Sequence, residues 1–231
     1  MKKRRGTFIV LEGTDGSGKT VQFEMLKKKL SKAGVNVLTF DFPQYKSEST
    51  YFIKQYLNGK YGSWQEVGPY RASTFYAMDR YDVGLKIKKA LAQGKMVLSN
   101  RYVASNMGHQ GAKIKSRAAR RRFFKWVYEF EHGILEIPKP ALTFVLHVPA
   151  RVAYKRIEGK GRREYLYMKK RDIHEADIEH LKRAEHAYLE VVKMFRKDFK
   201  FIECMKQGVL LSPEAVHKKV WAVVQNFINK K

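Results

Sequence analysis

A glycine-rich loop between an apolar run and an amphipathic segment constrains this sequence more than any other feature. The apolar run at 8–11 is continuous rather than alternating, which is typical of a strand buried on both faces. The segment after the loop places apolar residues at helical spacing. The loop itself matches G-x-x-x-x-G-K-[ST] and consists of Gly13, Thr14, Asp15, Gly16, Ser17, Gly18, Lys19 and Thr20. This strand–loop–helix order predicts a phosphate-binding loop.

Each position of the loop has a physical reason. Glycines let the backbone turn tightly and direct its N–H groups inward, and the following helix adds a positive dipole end. Lys19 supplies a compact positive charge for the β and γ oxygens of a nucleoside triphosphate, and Thr20 supplies a hydroxyl for Mg²⁺. We therefore expect ATP as the phosphate donor, with Mg²⁺.

The rest of the chain alternates short apolar runs with longer 3.6-periodic segments, which favours a parallel α/β sheet. Strands are predicted at 7–12, 36–41, 96–100, 142–148 and 199–203. Helices are predicted at 19–33, 49–57, 69–92, 116–135, 150–157, 174–197 and 213–229. No internal repeat or long linker divides the sequence, so we expect a single domain over 1–231.

The charge balance favours anionic ligands. The chain of 231 residues has a formal net charge of +25, which attracts nucleotides or nucleic acids. A single cysteine, Cys204, is expected to be buried and points to a reducing compartment. No segment reaches the ~20 apolar residues of a membrane span, and the apolar stretch after the basic start is short for a secretion signal. The expected location is the cytoplasm.

Three further motifs narrow the class of enzyme. They are the acid Asp15 inside the loop, the helical pair Tyr76 and Arg80 four residues apart, and the segment Asn-Arg-Tyr-Val-Ala-Ser-Asn at 100–106. Together they resemble the thymidylate kinase family, and the resemblance runs over essentially the whole chain. It implies the reaction ATP + dTMP → ADP + dTDP. It also implies a P-loop NTPase-type three-layer α/β fold, with a five-stranded parallel sheet of order 2-3-1-4-5, flanking helices and a lid.

The resemblance assigns roles to matching positions. Asp15 would contact the 3′-hydroxyl of the acceptor sugar. Tyr76 would stack on thymine, and Arg80 would grip the acceptor phosphate. Phe42 and Pro43 match a family segment near the acceptor. The acceptor-binding region is expected at about 42–80.

The segment after the third strand adds further roles by the same resemblance. Arg101 would bridge the reacting phosphates, and Asn106 would hydrogen-bond the thymine edge. His109 and Gln110 would line the sugar. Two positions depart from the family: Asn100 replaces an Asp near Mg²⁺, which puts metal affinity or rate in question, and His109 replaces a common Tyr, which predicts looser sugar discrimination.

A catalytic positive charge must also come from outside the loop, because Gly16 stands where some relatives carry an arginine. Phosphoryl transfer needs positive charge over the moving group. The candidates lie around Gly159 and Gly161, at the start of a lid expected at about 157–173, and are Arg156, Lys160, Arg162 and Arg163, of which Arg162 and Arg163 are favoured. Asp172 and Glu175 are weaker candidates for acceptor contact or helix capping.

Several alternatives remain open from sequence. One alternative is a kinase for another nucleoside monophosphate or for a deoxynucleoside. The combination of Asp15, Tyr76, Arg80 and Asn106 argues against it, and Arg80 would have no phosphate to bind if the acceptor were a deoxynucleoside. The net charge of +25 suggests a nucleic-acid-binding P-loop protein, and Asn100 suggests an inactive kinase. The expected partners are ATP and dTMP, without a membrane or a specific nucleic acid. By resemblance we also expect a homodimer formed by helix packing, with the aromatic side of the 116–135 helix, including Phe123, Phe124 and Trp126, as a candidate contact face.

Overall fold

The computed structural model describes residues 6–158 and 178–228 as a parallel sheet covered by helices on both faces. Its five strands are β1 (Phe8–Glu12), β2 (Val37–Asp41), β3 (Met96–Asn100), β4 (Leu142–His147) and β5 (Phe199–Glu203). They are ordered β2-β3-β1-β4-β5, and every neighbouring pair is parallel. The predicted fold class and strand order are confirmed. The prediction of one domain over 1–231 stays a prediction.

Strand β1 is central, and its alternating side chains build two separate cores. Ile9 and Leu11 pack into the core that also takes side chains from α1 and α9, whereas Phe8 and Val10 face the core beneath α4, α6 and α8. All four are buried, as the continuous apolar run predicts. This burial fixes the end of β1, and therefore the start of the glycine-rich loop, relative to the other strands.

The helices partly follow the predicted boundaries. In chain order they are α1 (Lys19–Lys32), α2 (Tyr51–Leu57), α3 (Trp64–Asp82), α4 (Gly84–Ala92), α5 (Val103–Ser105), α6 (Arg117–Tyr128), α7 (Ala150–Glu158), α8 (Ile178–Met194) and α9 (Pro213–Ile228). A short 3₁₀ turn spans Glu48–Thr50, and π-helical segments span Asn106–Gln110 and Glu129–Ile134. A small hairpin of β6 (Met205–Lys206) and β7 (Val209–Leu210) follows β5.

Two predicted helices need correction. The helix predicted at 69–92 is two helices: α3 begins earlier, with a capping box between Ser63 and Glu66, and Val83 separates it from α4. Gly68, at φ 72° and ψ 164°, interrupts α3 just before Pro69, because proline disfavours a helical conformation in the residue before it. The helix predicted at 116–135 is α6 followed by the π-helical segment at 129–134.

Candidate active site

The glycine-rich loop lies between the carboxyl end of β1 and the start of α1. Gly13, Gly16 and Gly18 all have positive φ angles, of 138°, 78° and 91°. A Cβ atom on Gly16 would lie 2.4 Å from the carbonyl oxygen of Ala153, so only glycine lets α7 approach this closely. The loop is therefore shaped by its glycines and packs directly on the helix that leads to the predicted lid.

Lys19 is buried against the loop that it follows. Its Nζ donates to the carbonyl oxygen of Thr14 at 2.7 Å, and the residue is 6% exposed. The ammonium group is thus held at the loop, next to the backbone N–H groups that bind phosphate in loops of this kind. Ser17 Oγ is buried and has no hydrogen-bond partner among the described residues. Thr20, in the first turn of α1, is exposed.

An ion pair joins the loop to the segment after β3. Arg101 Nη2 donates to Asp15 Oδ1, and Arg101 Nη1 lies 3.0 Å from His109 Nε2. Arg101 has a φ of 64°, an uncommon conformation that costs on the order of 1–3 kcal/mol in a non-glycine residue. Its N–H donates to Leu11 O at 2.8 Å and its carbonyl accepts from Ser99 Oγ at 2.7 Å, which holds the backbone in place. Three predicted site residues therefore meet here.

The His109 side chain is neutral in this arrangement. Burial, and then the nearby Arg101 charge, hold the pKa of His109 well below its usual value. A guanidinium group can only donate, so His109 Nε2 must accept and the ring proton must be on Nδ1. His109 thus orients the guanidinium group of Arg101 without adding a charge.

Glu12 connects the glycine-rich loop to the segment that follows β3. Its carboxylate accepts hydrogen bonds from Tyr102 N at 2.7 Å, Ser105 N at 3.0 Å, Ser105 Oγ at 2.8 Å and Tyr188 Oη at 3.0 Å. Burial raises the pKa of Glu12, and Arg101 and these donors partly offset that effect. Because Glu12 directly precedes the loop, it fixes the position of Arg101 relative to the phosphate-binding N–H groups.

A second buried cluster holds the predicted base-contacting residues. Arg80 donates through Nε and Nη2 to the two oxygens of Glu131, at 2.6 and 2.7 Å. Asn106 Nδ2 donates to Glu131 Oε1 at 2.7 Å and to Ser73 O at 3.1 Å. Burial opposes the charged form of Arg80, but the charge and hydrogen bonds of Glu131 outweigh it and raise the pKa. Arg80 and Asn106 therefore share one carboxylate oxygen.

The other predicted acceptor residues lie around this cluster. Tyr76 is half-buried, with its ring perpendicular to that of Tyr56, and Pro43 is also half-buried. The Phe42 ring lies in the core, near the rings of Phe40 and Tyr102, so it leaves little surface for a ligand. Gln110 is buried and its Oε1 accepts from Lys113 Nζ at 2.5 Å.

Asn100 and Asp41 face each other at the carboxyl edge of the sheet. They are register partners on β3 and β2, and Asn100 Nδ2 donates to Asp41 Oδ1 at 2.9 Å. Asn100 Oδ1 is buried without a hydrogen-bond partner among the described residues. Desolvation raises the pKa of Asp41. The charges of Arg101 and Lys19 and the hydrogen bond from Asn100 partly offset this increase. The edge thus holds one carboxylate and one unsatisfied amide oxygen.

Of the basic residues expected to neutralise the moving phosphate, Arg156 lies within the described chain. It is on α7, and its Nη2 would lie 4.0 Å from a Cβ atom placed on Gly18. The favoured Arg162 and Arg163, together with Lys160, Asp172 and Glu175, lie outside the described residues.

Glu131, Glu12 and Asp41 are parts of the site that were not predicted from the sequence. A signal for Glu131 was present: Phe123 and Val127 form a buried stripe on α6, and Glu131 follows Val127 by four residues. A carboxylate in line with an apolar stripe requires a buried partner. Glu12, directly before the loop in a fully buried strand, gives the same kind of signal.

The parallel sheet and the glycine-rich loop after β1, with Lys19 held against the loop, define a P-loop nucleotide-binding protein. The model of the family described as "Thymidylate kinase" matches residues 11–219. The chain therefore belongs to the thymidylate kinase family.

Individual relatives agree with this assignment. The chain is 32% identical to the thymidylate kinase of Mycobacterium tuberculosis over 184 residues, covering 79% of this chain and 84% of that one. It is 30% identical to the thymidylate kinase of a Thermoanaerobacter species over 226 residues, covering 97% of this chain and all of that one. The structure of thymidylate kinase from Candida albicans aligns with a TM-score of 0.75 and 20% identity, covering 98% of this chain and 94% of that one, which supports the fold.

Proposed function

We propose that this protein transfers the terminal phosphoryl group of ATP to dTMP, giving ADP and dTDP. One observation carries the proposal: Arg101, on the segment that also bears Asn106, is bonded to Asp15 inside the phosphate loop. The donor-binding loop and the acceptor-binding segment therefore meet at a single guanidinium group. Phosphoryl transfer depends on this kind of positioning, with positive charge between the two phosphates.

The donor end of the site uses the loop, Lys19 and α7. Backbone N–H groups of the loop would hold the β-phosphate, and Lys19 would turn from the Thr14 carbonyl oxygen toward the γ-phosphate. Arg156, which lies close to Gly18, is placed to add positive charge as the phosphoryl group moves. No general base is required, because the acceptor phosphate already carries nucleophilic oxygens.

The residues at the sheet edge fit a magnesium ion. Mg²⁺ keeps several of its waters and takes one or two protein oxygens beside substrate phosphates. Thr20 offers a hydroxyl group, and the unsatisfied Oδ1 of Asn100 offers an acceptor for a metal-bound water. Asp41 holds the amide group of Asn100 with this oxygen free, and it supplies the charge that the amide lacks. Bound Mg²⁺ would neutralise the β- and γ-phosphate oxygens.

The acceptor end follows from the Glu131 cluster. Arg80 and Asn106 both donate to Glu131 Oε1, so both lie at the same end of the acceptor site. We assign both residues to binding of the base. This changes the role expected for Arg80, because two of its nitrogens are already engaged by a carboxylate. We assign the acceptor phosphate to Arg101 instead. Tyr76, four residues before Arg80 on α3, is placed to stack on the base.

We also propose that the protein forms a homodimer through α3. The face expected from the sequence is wrong in part, because Phe123 and Phe124 are fully buried in the core. Met78 and Tyr81, three residues apart on α3, are instead 39% and 56% exposed. Light scattering of wild type and Tyr81→Glu would test this: a dimer that the charge dissociates is expected, and a monomeric wild type would contradict it.

The compartment proposed from sequence is the cytoplasm. Cys204 is buried, and burial raises the pKa of its thiol to about 11, so it is an unreactive thiol suited to a reducing compartment. In the part of the chain that the structure describes, no helix is long and apolar enough to cross a membrane.

A substrate panel tests the proposed activity. Turnover with ATP and Mg²⁺ is measured for dTMP, dUMP, dGMP and thymidine, with and without added RNA. We expect the highest kcat/KM with dTMP and no reaction with thymidine, which lacks the phosphate. Faster turnover of dUMP or dGMP would refute the assigned acceptor. ATP hydrolysis that depends on RNA would instead favour a nucleic-acid-dependent enzyme.

A further inference from the structure

A buried carboxylate lies at the base end of the proposed acceptor site. Glu131 is in the π-helical segment at the end of α6, and its side chain is fully buried. It bonds to Arg80 of α3 and to Asn106 of the 106–110 segment, which makes it the point where three elements meet. A charged group in such a position is costly unless each of its oxygens is satisfied. Three donors satisfy the two oxygens here.

The hydrogen bonds of Asn106 determine which way its amide group faces. The carbonyl oxygen of Ser73 can only accept, and so can the carboxylate oxygens of Glu131 that pair with Arg80. The amide nitrogen of Asn106 must therefore face both groups, and its two hydrogens are consumed. The amide oxygen, Oδ1, accepts no hydrogen bond from the described residues. Asn106 thus has an acceptor left to offer a ligand, and no donor.

We propose that Glu131 is a positioning residue that sets the base specificity of the enzyme by fixing this amide orientation. The inference rests on the acceptor site proposed above. A fixed acceptor matches a base that carries a ring N–H, as thymine and uracil do at N3. Cytosine has a lone pair at that position, so two acceptors would face each other in a desolvated site. A site that hydrogen-bonds its ligand strongly rejects an analogue lacking the matching group.

The substitution Glu131→Gln tests the orientation directly, because it preserves size and removes one acceptor. If the new amide nitrogen faces Arg80 Nε, the bidentate pair is broken and Asn106 is held by a neutral oxygen, which is a weaker acceptor than a carboxylate and fixes the Asn106 amide less firmly. If it faces Asn106, the Asn106 amide must rotate and would present a donor to the base. Glu129→Gln is the matched control, because Glu129 is an exposed carboxylate on the same segment.

The experiment compares kcat/KM for dTMP and dCMP at saturating ATP in wild type and both variants, together with KM for ATP. We expect Glu131→Gln to raise the dCMP-to-dTMP ratio at least about tenfold, because a site loses discrimination when the group that matches its ligand is no longer held in place. KM for ATP should stay within about twofold, and Glu129→Gln should behave as wild type. Equal losses for both acceptors would overturn the proposal and leave Glu131 with a structural role.

A measurement on the wild-type protein covers the case in which Glu131→Gln does not fold. The side-chain amide protons of Asn106 should exchange slowly with solvent in a ¹⁵N-labelled sample without ligand, because both are hydrogen-bonded in a buried site. Exchange at the rate of an exposed asparagine would overturn the proposal. Failure of wild type to phosphorylate dTMP would instead refute the proposed function, and the exchange measurement would still stand.

Discussion

The buried pair of Arg80 and Glu131 gives a prediction about stability that can be worked out from the structure. In Arg80→Met, Glu131 Oε2 loses its donor, whereas Oε1 keeps the one from Asn106. Breaking a buried pair by removing one partner costs about 3–5 kcal/mol, because an uncompensated charge remains. Since 1 kcal/mol shifts the melting temperature by roughly 2–4 °C at this chain length, we expect a decrease of about 6–20 °C.

The double variant Arg80→Met/Glu131→Leu separates loss of the charge partner from loss of the contact. Replacing both partners with apolar side chains is often close to neutral, and Asn106 would keep its bond to Ser73 O. We expect the double variant to lie within about 2 kcal/mol of wild type. Lys88→Met is the control, because Lys88 forms an exposed pair with Glu136 at 3.4 Å and should cost less than about 1 kcal/mol.

The assay is urea unfolding followed by circular dichroism, with melting temperatures as a second measure. A loss below about 1 kcal/mol in Arg80→Met would refute the reasoning, and so would a double variant as unstable as the single one. The same variants also report on ligands. Arg80→Met should weaken dTMP binding far more than ATP binding, and equal losses would mean that the acceptor site is wrongly assigned.

Three other variants test separate parts of the structure. Lys19→Ala should lower kcat by about 10³-fold or more, because the charge on the transferred group is no longer neutralised, and wild-type rates would contradict the site. In the wild type, His109 binds a proton below pH ~6.5 when unfolded but not when buried, so the free energy of unfolding falls as pH falls, by up to about 1.4 kcal/mol per pH unit. His109→Gln should therefore make stability less dependent on pH. Urea titrations at several pH values would detect this, and an unchanged slope would contradict it. Gly34→Ala should cost about 1 kcal/mol in the same assay, because Gly34 ends α1 at φ 71° in open space, and no loss would contradict a conformational role.

The strands were predictable because each of them contains a short run rich in apolar residues. Short apolar runs identify all five, although Lys200 interrupts the run in β5, and the predictions for β3 and β5 match at both ends. The break between α3 and α4 was not predictable in this way. Gly84, directly after Val83, is the only nearby residue that weakens a helix, and it begins α4 without the positive φ of a helix-ending glycine. Tertiary packing decides such a boundary.

The site residues likewise divide into those that could be predicted from the sequence and those that could not. Residues of the phosphate loop could be identified because the backbone geometry demands particular residue types at fixed spacing. Glu131 could not be paired with Arg80, because 51 residues separate them and several acids lie near position 131. Asp41 was missed because only the register of β2 on β3 brings it to Asn100. In both cases a carboxylate orients an asparagine amide, an arrangement visible only once the fold is known.

The most direct test follows the phosphoryl group itself. The protein is incubated with [γ-³²P]ATP, Mg²⁺ and dTMP, and the nucleotides are separated by ion exchange. We expect the label to appear in dTDP, at a rate that depends on dTMP. Label released only as inorganic phosphate, at a rate independent of dTMP, would contradict it.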